Sequence, residues 1–230
     1  MGNTIMARTL LESRVVWVDE EDSKGRTALH YAVQHNNAEL TSLLLANGAN
    51  VDAVDYAGSS AAHFACKHGI IDAVNLLAYY KADLCAVDKS GKTPFDLACE
   101  HGRAKMVDRM LESGIPLRSL QMIGDSHYAS ALHLAARNGH VQICSRLIQH
   151  GWQINMLTSQ GSALHEAAAY GRVEVVRFLL HAGIDATALN SFEQTAADVS
   201  KKAAARNPIT SKEIRFLLRA LMETVEITYS

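Results

Sequence analysis

The sequence predicts an all-α solenoid, in which short helix–turn–helix units stack side by side and β-turn fingers join them. Three observations carry this prediction. A triplet of the form Ala-Leu-His, or a variant of it, begins at positions 28, 61, 94, 131, 163 and 196. Successive copies are 33 residues apart, except for one interval of 37 and one of 32. A glycine also closes four of the units in the same register, at Gly48, Gly114, Gly151 and Gly183. A fixed period of this length is typical of repeat proteins.

The period divides the chain into units. It predicts five complete repeats, at 22–54, 55–87, 88–124, 125–156 and 157–189. Residues 1–21 are expected to form a truncated leading repeat that caps one end of the stack. At the other end we expect a modified C-terminal cap repeat at 190–224 and a tail at 225–230. Each unit buries its apolar residues only against its neighbours, so no single unit is expected to fold alone.

The second unit shows how one repeat is built. Residues 55–58 read Asp-Tyr-Ala-Gly, which predicts a turn that we call the finger of the unit. Ser60 is then expected to cap a first helix over 61–68, which Gly69 ends. A second helix is predicted over 71–80, followed by an extended segment that leads into the next finger. We call the first helix of a unit its inner helix and the second its outer helix.

The last unit departs from this scheme at its outer helix. Its inner helix is predicted near 195–202, followed by a longer link. Residues 210–213 read Thr-Ser-Lys-Glu, a capping box that predicts the start of a final helix extending through Leu221. A terminal repeat needs a polar outer face. We expect this face to be formed by Lys212, Arg215 and Arg219.

Two further departures fall inside the array. Lys81 stands where other units end a helix with glycine, so we expect a left-handed backbone there and some loss of stability. The third unit is four residues too long, and its surplus falls within 115–124. This insertion is unusually apolar, and it either packs onto the repeats or contacts a partner. We expect the first outcome for Leu117 and Ile123, and the second for Leu120 and Met122.

Composition narrows the classes of function. The chain has 230 residues, is 48% hydrophobic and carries a formal net charge of −2, which does not favour nucleic-acid binding. It contains no run of 18 apolar residues, so no membrane span is expected. None of its four cysteines forms a C-x-x-C pair, and Cys66 and Cys99 occupy equivalent positions in neighbouring units. Both are therefore expected to be buried core residues of a protein in a reducing, cytoplasmic compartment.

The repeat can be compared with known families. Its period and its Thr-Pro-Leu-His-like core resemble the ankyrin-repeat proteins over essentially the whole chain. Three stretches also resemble the ankyrin arrays of caskin-type neuronal scaffold proteins: SGKTPFDLACEHGR at 90–103, SALHEAAAYGRVEVVRFLLHAGID at 162–185 and KEIRFLL at 212–218. The ankyrin resemblance implies a protein-binding array. The caskin resemblance implies a location at cell junctions or synapses.

The sequence gives only weak signals for catalytic or metal-binding sites. His30, His63, His133 and His165 share one repeat position, and the resemblance implies that they orient neighbouring turns through hydrogen bonds. His165-Glu166 begins like the zinc motif H-E-x-x-H, but Ala169 occupies the place of the second histidine. No G-x-S-x-G, P-loop or G-x-G-x-x-G motif is present. We therefore predict no enzymatic activity, no catalytic residues, no metal and no cofactor.

The resemblance implies that finger tips and inner helices line a concave groove for partners. The lysines at 67, 89 and 92 and Arg137 outnumber Glu100 there, which favours an acidic, extended peptide. Exposed aromatic residues are expected to serve as anchors. The predicted partner-binding residues are Tyr56, Lys67, His68, Lys89, Lys92, His101, Leu120, Met122, His127, Arg137, Asn138, Tyr170 and Phe192.

Two functions fit these expectations. The favoured one is a non-enzymatic scaffold or adaptor that holds a partner protein in the groove. The alternative is a regulatory or targeting subunit that controls a partner enzyme by occluding or presenting its site. Both functions predict a monomeric array that binds a protein partner, does not bind nucleic acid and has no membrane span.

Overall fold

The computed structural model describes residues 2–13, 16–114, 130–205 and 207–228. These residues form thirteen α-helices and two isolated β-bridges, which confirms the predicted all-α fold. Backbone contacts divide the chain into two compact units. Unit 1 comprises Met1–Ala98 and Lys105–Leu117, and unit 2 comprises Cys99–Ala104 and Arg118–Ser230.

Unit 1 is built from two layers of helices. Its helices are α1 (Gly2–Glu12), α2 (Ala28–Gln34), α3 (Ala38–Ala46), α4 (Ala61–His68), α5 (Ile71–Tyr79), the start of α6 (Pro94–Glu100) and nearly all of α7 (Ala104–Glu112). The inner helices α2 and α4 pack against each other, and the outer helix α3 packs against α1 and α5. Each inner helix also packs against the outer helix of its own repeat, α2 on α3 and α4 on α5.

Unit 2 repeats the same two-layer arrangement. Its remaining helices are α8 (Ala131–Asn138), α9 (Val141–Gln149), α10 (Ala163–Ala169), α11 (Val173–His181), α12 (Ala196–Ala203) and α13 (Pro208–Thr228). The inner helix α10 lies between α8 and α12, and the outer helix α11 contacts α9 and α13. Each of these helices therefore packs against helices of its own repeat or of an adjacent repeat, as a repeat fold requires.

Local capping chemistry decides where most helices begin and end. Helix α4 has the predicted bounds: Ser60 precedes it in an extended conformation, and Gly69 ends it with a φ of +75°. Helix α5 also begins where predicted, and Tyr80 forms its C-cap rather than its last turn. Helix α12 begins directly after Thr195, whose side chain accepts a hydrogen bond from the backbone N–H of Asp198.

The predicted start of the final helix is wrong. Helix α13 begins at Pro208, ahead of the Thr-Ser-Lys-Glu box, and it continues through Thr228 into the predicted tail. Proline fits the first helical position because that residue needs no N–H donor. Asn207 takes the capping role, since its Oδ1 accepts from the backbone N–H of Thr210 at 3.4 Å. The outer face is also less polar than expected, because Ile209 and Phe216 are exposed there.

Small and branched apolar residues fill the space between the layers. Inner-helix alanines such as Ala65 and Ala135 are fully buried, which lets adjacent inner helices approach closely. Cys66, Cys99 and Cys144 are buried, as predicted for the first two, and Cys85 is half-buried; none of the four forms a disulfide. Burial raises the pKa of the Cys66 and Cys144 thiols to about 12, so both are protonated and unreactive at neutral pH.

A buried histidine in the inner helix ties one repeat to the finger of the next. The Nδ1 atom of His63 accepts from the backbone N–H of Ser60 at 3.1 Å and lies 2.9 Å from the Ser60 hydroxyl. Because a backbone N–H can only donate, the ring proton must be on Nε2. That Nε2–H donates to the carbonyl of Lys92 in the following finger, at 3.1 Å. The ring is therefore held neutral, in one tautomer.

The same histidine bridge recurs in both units. His30, His133 and His165 place Nδ1 within 3.1 Å of the hydroxyl of the capping residue. Their Nε2 atoms lie 2.9 to 3.1 Å from a carbonyl of the next finger, at Ser59, Gly161 and Gln194. This confirms the structural role that the resemblance implied for these histidines. Burial lowers the pKa of all four rings.

We expect the bridges to make folding sensitive to mild acid. The folded pKa of each bridging histidine lies below the unfolded value of about 6.5, so the unfolded chain binds more protons in this range. The free energy of unfolding is therefore expected to be constant above about pH 7.5 and to fall as the pH drops through about 6.5. Urea melts of the full chain at several pH values measure this.

Two variants identify the source of this pH dependence. His63→Gln removes one bridging ring and should reduce the slope of the free energy of unfolding against pH. His181→Gln changes an exposed histidine at the end of α11 and should leave the slope unchanged. Side-chain hydrogen bonds lower the pKa of Asp22, Asp185 and Asp198, so these carboxyl groups titrate in a more acidic window. A constant free energy between about pH 5 and 7 would contradict the bridge argument.

The backbone at Lys81 yields a second prediction. Lys81 has a φ of +67°, which confirms the left-handed geometry expected from the missing glycine. Glycine adopts this conformation without the steric cost that a Cβ imposes, so Lys81→Gly should raise the free energy of unfolding by about 1 kcal/mol. A matched control is Ala78→Gly, at an exposed position inside α5, which should lower it by about 1 kcal/mol. Denaturant melts that show equal losses for both variants would contradict this account.

Candidate interaction groove

Unit 2 contains an open groove of about 480 Å³ on the side of its inner helices. We call it the Tyr170 groove. Helices α8, α10 and α12 and two successive fingers contribute to it. It is lined by Arg137, Gln160, His165, Glu166, Ala169, Tyr170, Asn190, Phe192, Gln194, Val199 and Lys202.

A bidentate ion pair joins α8 to α10 across the groove. Arg137 donates from Nε to Oε2 of Glu166 at 2.9 Å and from Nη2 to Oε1 at 2.8 Å. Glu166 is only 4% exposed, and its hydrogen bonds raise the pKa of the Arg137 guanidinium. The guanidinium also lies 5.3 Å from the centre of the Tyr170 ring, within range of a cation–π interaction. Arg137 therefore organises the groove.

This pairing corrects one part of the sequence analysis. Arg137 was counted among the cations that favour an acidic peptide, and Glu166 was left out of the groove. Because the carboxylate compensates the guanidinium directly, Arg137 adds little net positive charge at this place. Among the described lining residues, the cation outside this pair is Lys202, which is exposed near the end of α12.

Two aromatic side chains face the groove from different elements. Tyr170 follows α10 and is 50% exposed, and Phe192 lies in the last finger and is 63% exposed. The finger is fixed by Asn190, whose buried Oδ1 accepts from the backbone N–H of Phe192 at 2.9 Å and of Gln194 at 3.0 Å. Because these two hydrogen bonds fix the turn, Phe192 is held in its exposed position.

The remaining lining residues include two apolar ones, Ala169 and Val199, and several polar ones that can form hydrogen bonds. Gln160 is exposed and Gln194 is half-buried, and each amide offers both donors and an acceptor. His165 lines the groove, but its Nε2 is already committed to the carbonyl of Gln194. No cluster of three or more potential metal ligands occurs in the part of the chain that the structure describes. The groove therefore offers aromatic rings for stacking and side-chain amides for hydrogen bonds.

The predicted residues of unit 1 lie mainly in successive fingers. The backbone N–H of Tyr56 donates to the carbonyl of Lys24 at 2.9 Å, and its exposed ring lies against Gly25. A Cβ added at Gly25 would come within 2.4 Å of that ring, so only glycine permits this contact. The backbone N–H of Lys89 donates in the same way to the carbonyl of Ala57, at 2.9 Å. These contacts place Tyr56 and Lys89 one finger apart.

The other predicted residues fall in several places. In unit 1, Lys92 is half-buried at the base of its finger, and Lys67 and His68 are exposed at the end of α4. In unit 2, His101 is half-buried after α6. Asn138 donates from Nδ2 to the carbonyl of Leu134 at 2.9 Å and so helps to end α8. The positions outside the described residues are Leu120, Met122 and His127.

Of the predicted set, the structure brings together Arg137, Tyr170 and Phe192 in one groove. The sequence analysis missed Glu166, Gln160, Gln194 and Lys202. A signal for Glu166 was present in the repeat itself. Glu166 follows the bridging His165 directly, and Arg137 lies four residues after the equivalent His133, so the stacking of α8 on α10 brings the two side chains face to face.

Comparisons with known proteins agree with this architecture. A family model described as ankyrin repeats in three copies matches residues 54–121 and 119–190, and a model of a single ankyrin repeat matches 24–56. The crystal structure of the human ASB11 ankyrin repeat domain is 28% identical, covers 85% of this chain and 84% of its own, and has a TM-score of 0.71. The ankyrin repeat domain of Bcl-3, described as a unique member of the IkappaB protein family, is 26% identical, with coverages of 95% and 94% and a TM-score of 0.71.

Two further comparisons are brief. No curated protein shows a significant sequence match to this chain. Within the described residues, every helix is too short or too polar to cross a membrane.

The ion pair in the groove makes an asymmetric prediction. Arg137→Met leaves the buried carboxylate of Glu166 without its cation and should lower the free energy of unfolding by about 3 kcal/mol. Glu166→Gln keeps the shape and one acceptor and leaves a half-exposed guanidinium, so it should cost about 1 kcal/mol. The double variant removes the orphaned charge and should be more stable than Arg137→Met alone. Urea melts at neutral pH compare the three, and equal losses in both single variants would show that Glu166 does not depend on Arg137.

Proposed function

Because the chain belongs to the ankyrin-repeat family, whose repeats generally mediate protein–protein interaction and are not catalytic, we propose that it is a scaffold or adaptor that binds an extended segment of a partner protein in the Tyr170 groove. The observation that carries this proposal is the pair of exposed aromatic side chains, Tyr170 and Phe192, that line a single open groove.

The energetics of binding favour such an arrangement. Large aromatic side chains supply much of the contact energy in protein interfaces and lose little conformational freedom on binding. Tyr170 is already held beneath the Arg137 guanidinium, and Phe192 is fixed by the Asn190 turn. Less entropy is therefore lost when a ligand orders them. A preformed aromatic pair is a good anchor for one apolar side chain of a partner.

The polar side chains that line the groove indicate which other groups the ligand should carry. Gln160 and Gln194 carry amides that can pair with the backbone of an extended peptide. Lys202 adds a positive charge at one side of the groove, where an acidic side chain of the partner would be favoured. The preferred ligand is thus an extended segment with an apolar residue flanked by an acidic one.

The proposed cellular role rests on the three stretches that resemble caskin-type scaffold proteins. The caskin-like stretches support an adaptor in the cytoplasm, at cell junctions or synapses, and not a regulatory subunit of an enzyme. Proximity labelling in the native cell, followed by activity assays on the recovered partners, separates these two roles. Partners whose enzymatic activity changes on binding would favour the regulatory one.

The groove proposal is tested by selecting peptides on the full chain. Peptides from a random display library should bind wild-type protein and be enriched in sequences with an apolar residue next to an acidic one. Tyr170→Ser together with Phe192→Ser should weaken the selected peptides at least about tenfold, because both anchors are lost. Calorimetric titration measures this change.

A matched control keeps the test specific. Tyr79→Ser removes an aromatic side chain that is 78% exposed on the outer helix α5, and it should leave peptide affinity unchanged. The double variant should lose no more than about 1 kcal/mol of stability, since Phe192 is largely exposed and the cation–π contact of the half-exposed Tyr170 is weak. Peptides that bind the folded double variant as tightly as wild type would refute the groove proposal.

A further inference from the structure

The last helix exposes apolar surface on the side that faces away from the core. Among the described residues, Pro208, Ile209, Lys212, Glu213 and Phe216 line one open side of α13. Ile209 is 77% exposed and Phe216 is 70% exposed. The opposite side of the same helix is buried through residues such as Ile214 and Leu218. Helix α13 therefore has a buried apolar face and an exposed face that carries two large apolar side chains, and we call the exposed face the α13 stripe.

This surface is unusual for an exposed helix face. Such a face normally carries polar side chains, because apolar side chains are more stable when they are removed from water. Here an aromatic and a branched aliphatic side chain flank two charged ones at a spacing of three, one and three residues. These four positions fall on one face of a helix. We propose that the α13 stripe is covered by the α13 stripe of a second copy of this chain, in an antiparallel dimer.

The order of the side chains carries the choice of occupant. A symmetric dimer needs a surface that is complementary to itself. Ile209 lies three residues before Lys212, and Phe216 lies three residues after Glu213. A two-fold axis between Lys212 and Glu213 therefore sets Ile209 against Phe216 of the second copy. It also sets Lys212 against Glu213 of the second copy, so both contacts form twice.

The neighbouring charges are compatible with this pairing. Glu213 lies 3.5 Å from Nη2 of Arg177 on α11, and both side chains are about half exposed. A contact of that length and exposure is weak. The carboxylate can therefore approach a second cation, and Arg177 then lies beside the new pair. A parallel arrangement would instead oppose Lys212 to Lys212 and Glu213 to Glu213, which is unfavourable.

The dimer is expected to be weak. The α13 stripe contributes five residues from each copy, whereas standard interfaces use about 20–30 residues a side. We expect a dissociation constant on the order of 0.1 mM. This replaces the monomer that the sequence predicted by a concentration-dependent equilibrium.

Sedimentation equilibrium on the full chain tests the proposal. Wild-type protein should change from monomer to dimer as its concentration rises through about 0.1 mM. Phe216→Ser should raise the dissociation constant at least about tenfold. Phe192→Ser is the matched control, since it removes an equally exposed aromatic residue from the Tyr170 groove and should not affect dimerisation.

Charge reversal tests the two-fold register itself. Lys212→Glu and Glu213→Lys should each weaken self-association about tenfold, because each sets like charges against one another. An equimolar mixture of the two variants should associate at least as well as wild type, because every opposed pair is then of opposite sign. Lys212→Glu should keep the wild-type melting temperature, and Glu213→Lys should lower it only slightly, because the exposed contact with Arg177 that it loses is weak.

The outcomes separate clearly. A wild-type chain that stays monomeric up to about 1 mM overturns the proposal, and so does a mixture of the two charge variants that fails to associate. Dimerisation that survives Phe216→Ser but is lost in Phe192→Ser would place the contact in the Tyr170 groove instead and also overturn it. Peptide binding by the Tyr170 groove is measured separately, so either proposal can fail without the other.

Discussion

The proton on Nε2 of the bridging histidines is the constraint on which the rest of this fold depends. Helix pairs in a repeat stack bury apolar surface only against their neighbours, which fixes spacing but not the position of the fingers. Each bridge adds a directional hydrogen bond from a buried inner helix to a carbonyl of the next finger. His165 shows the consequence for the Tyr170 groove. Its acceptor is Gln194, in the finger that holds Phe192, so the bridge that joins two repeats also sets one wall of the groove.

The positions without histidine follow from the same chemistry. Asp96 and Asp198 occupy the histidine position in two units, and each carboxylate accepts from the backbone N–H and the hydroxyl of its capping threonine. A carboxylate can cap a helix as well as a neutral imidazole does, but it has no hydrogen to donate to a carbonyl. Asp96 precedes the segment where the sequence inserts four residues, and Asp198 lies in the last unit. In each of the four units with histidine, the ring proton therefore has a carbonyl of the next finger as its acceptor.

Features governed by local chemistry could be predicted from the sequence, and features governed by distant partners could not. The bounds of α4 and the left-handed Lys81 follow from caps and glycine positions within a few residues. The charge of the groove was misjudged because it depends on an ion pair between Arg137 and Glu166, which lie on separate helices. Two local signals compete for the start of α13, namely the Thr-Ser-Lys-Glu box and Pro208 preceded by Asn207. The helix begins at the earlier of the two, Pro208. Tyr170 and Phe192 were predicted as anchors, but only the stacking of α10 on α12 brings them to one groove.

The two proposed surfaces of unit 2 lie at different places, and their effects on binding would reinforce each other. The Tyr170 groove is formed by inner helices and fingers, whereas the α13 stripe belongs to the outer layer. A dimer formed through α13 therefore leaves both grooves open to partners. A partner that carries two suitable segments could then occupy two grooves at once, and the second contact would form at the high effective concentration that the first one creates. The chain would then combine two weak sites, one for a peptide and one for a second copy of itself. Its apparent affinity for a multivalent partner would rise steeply with the concentration of the chain.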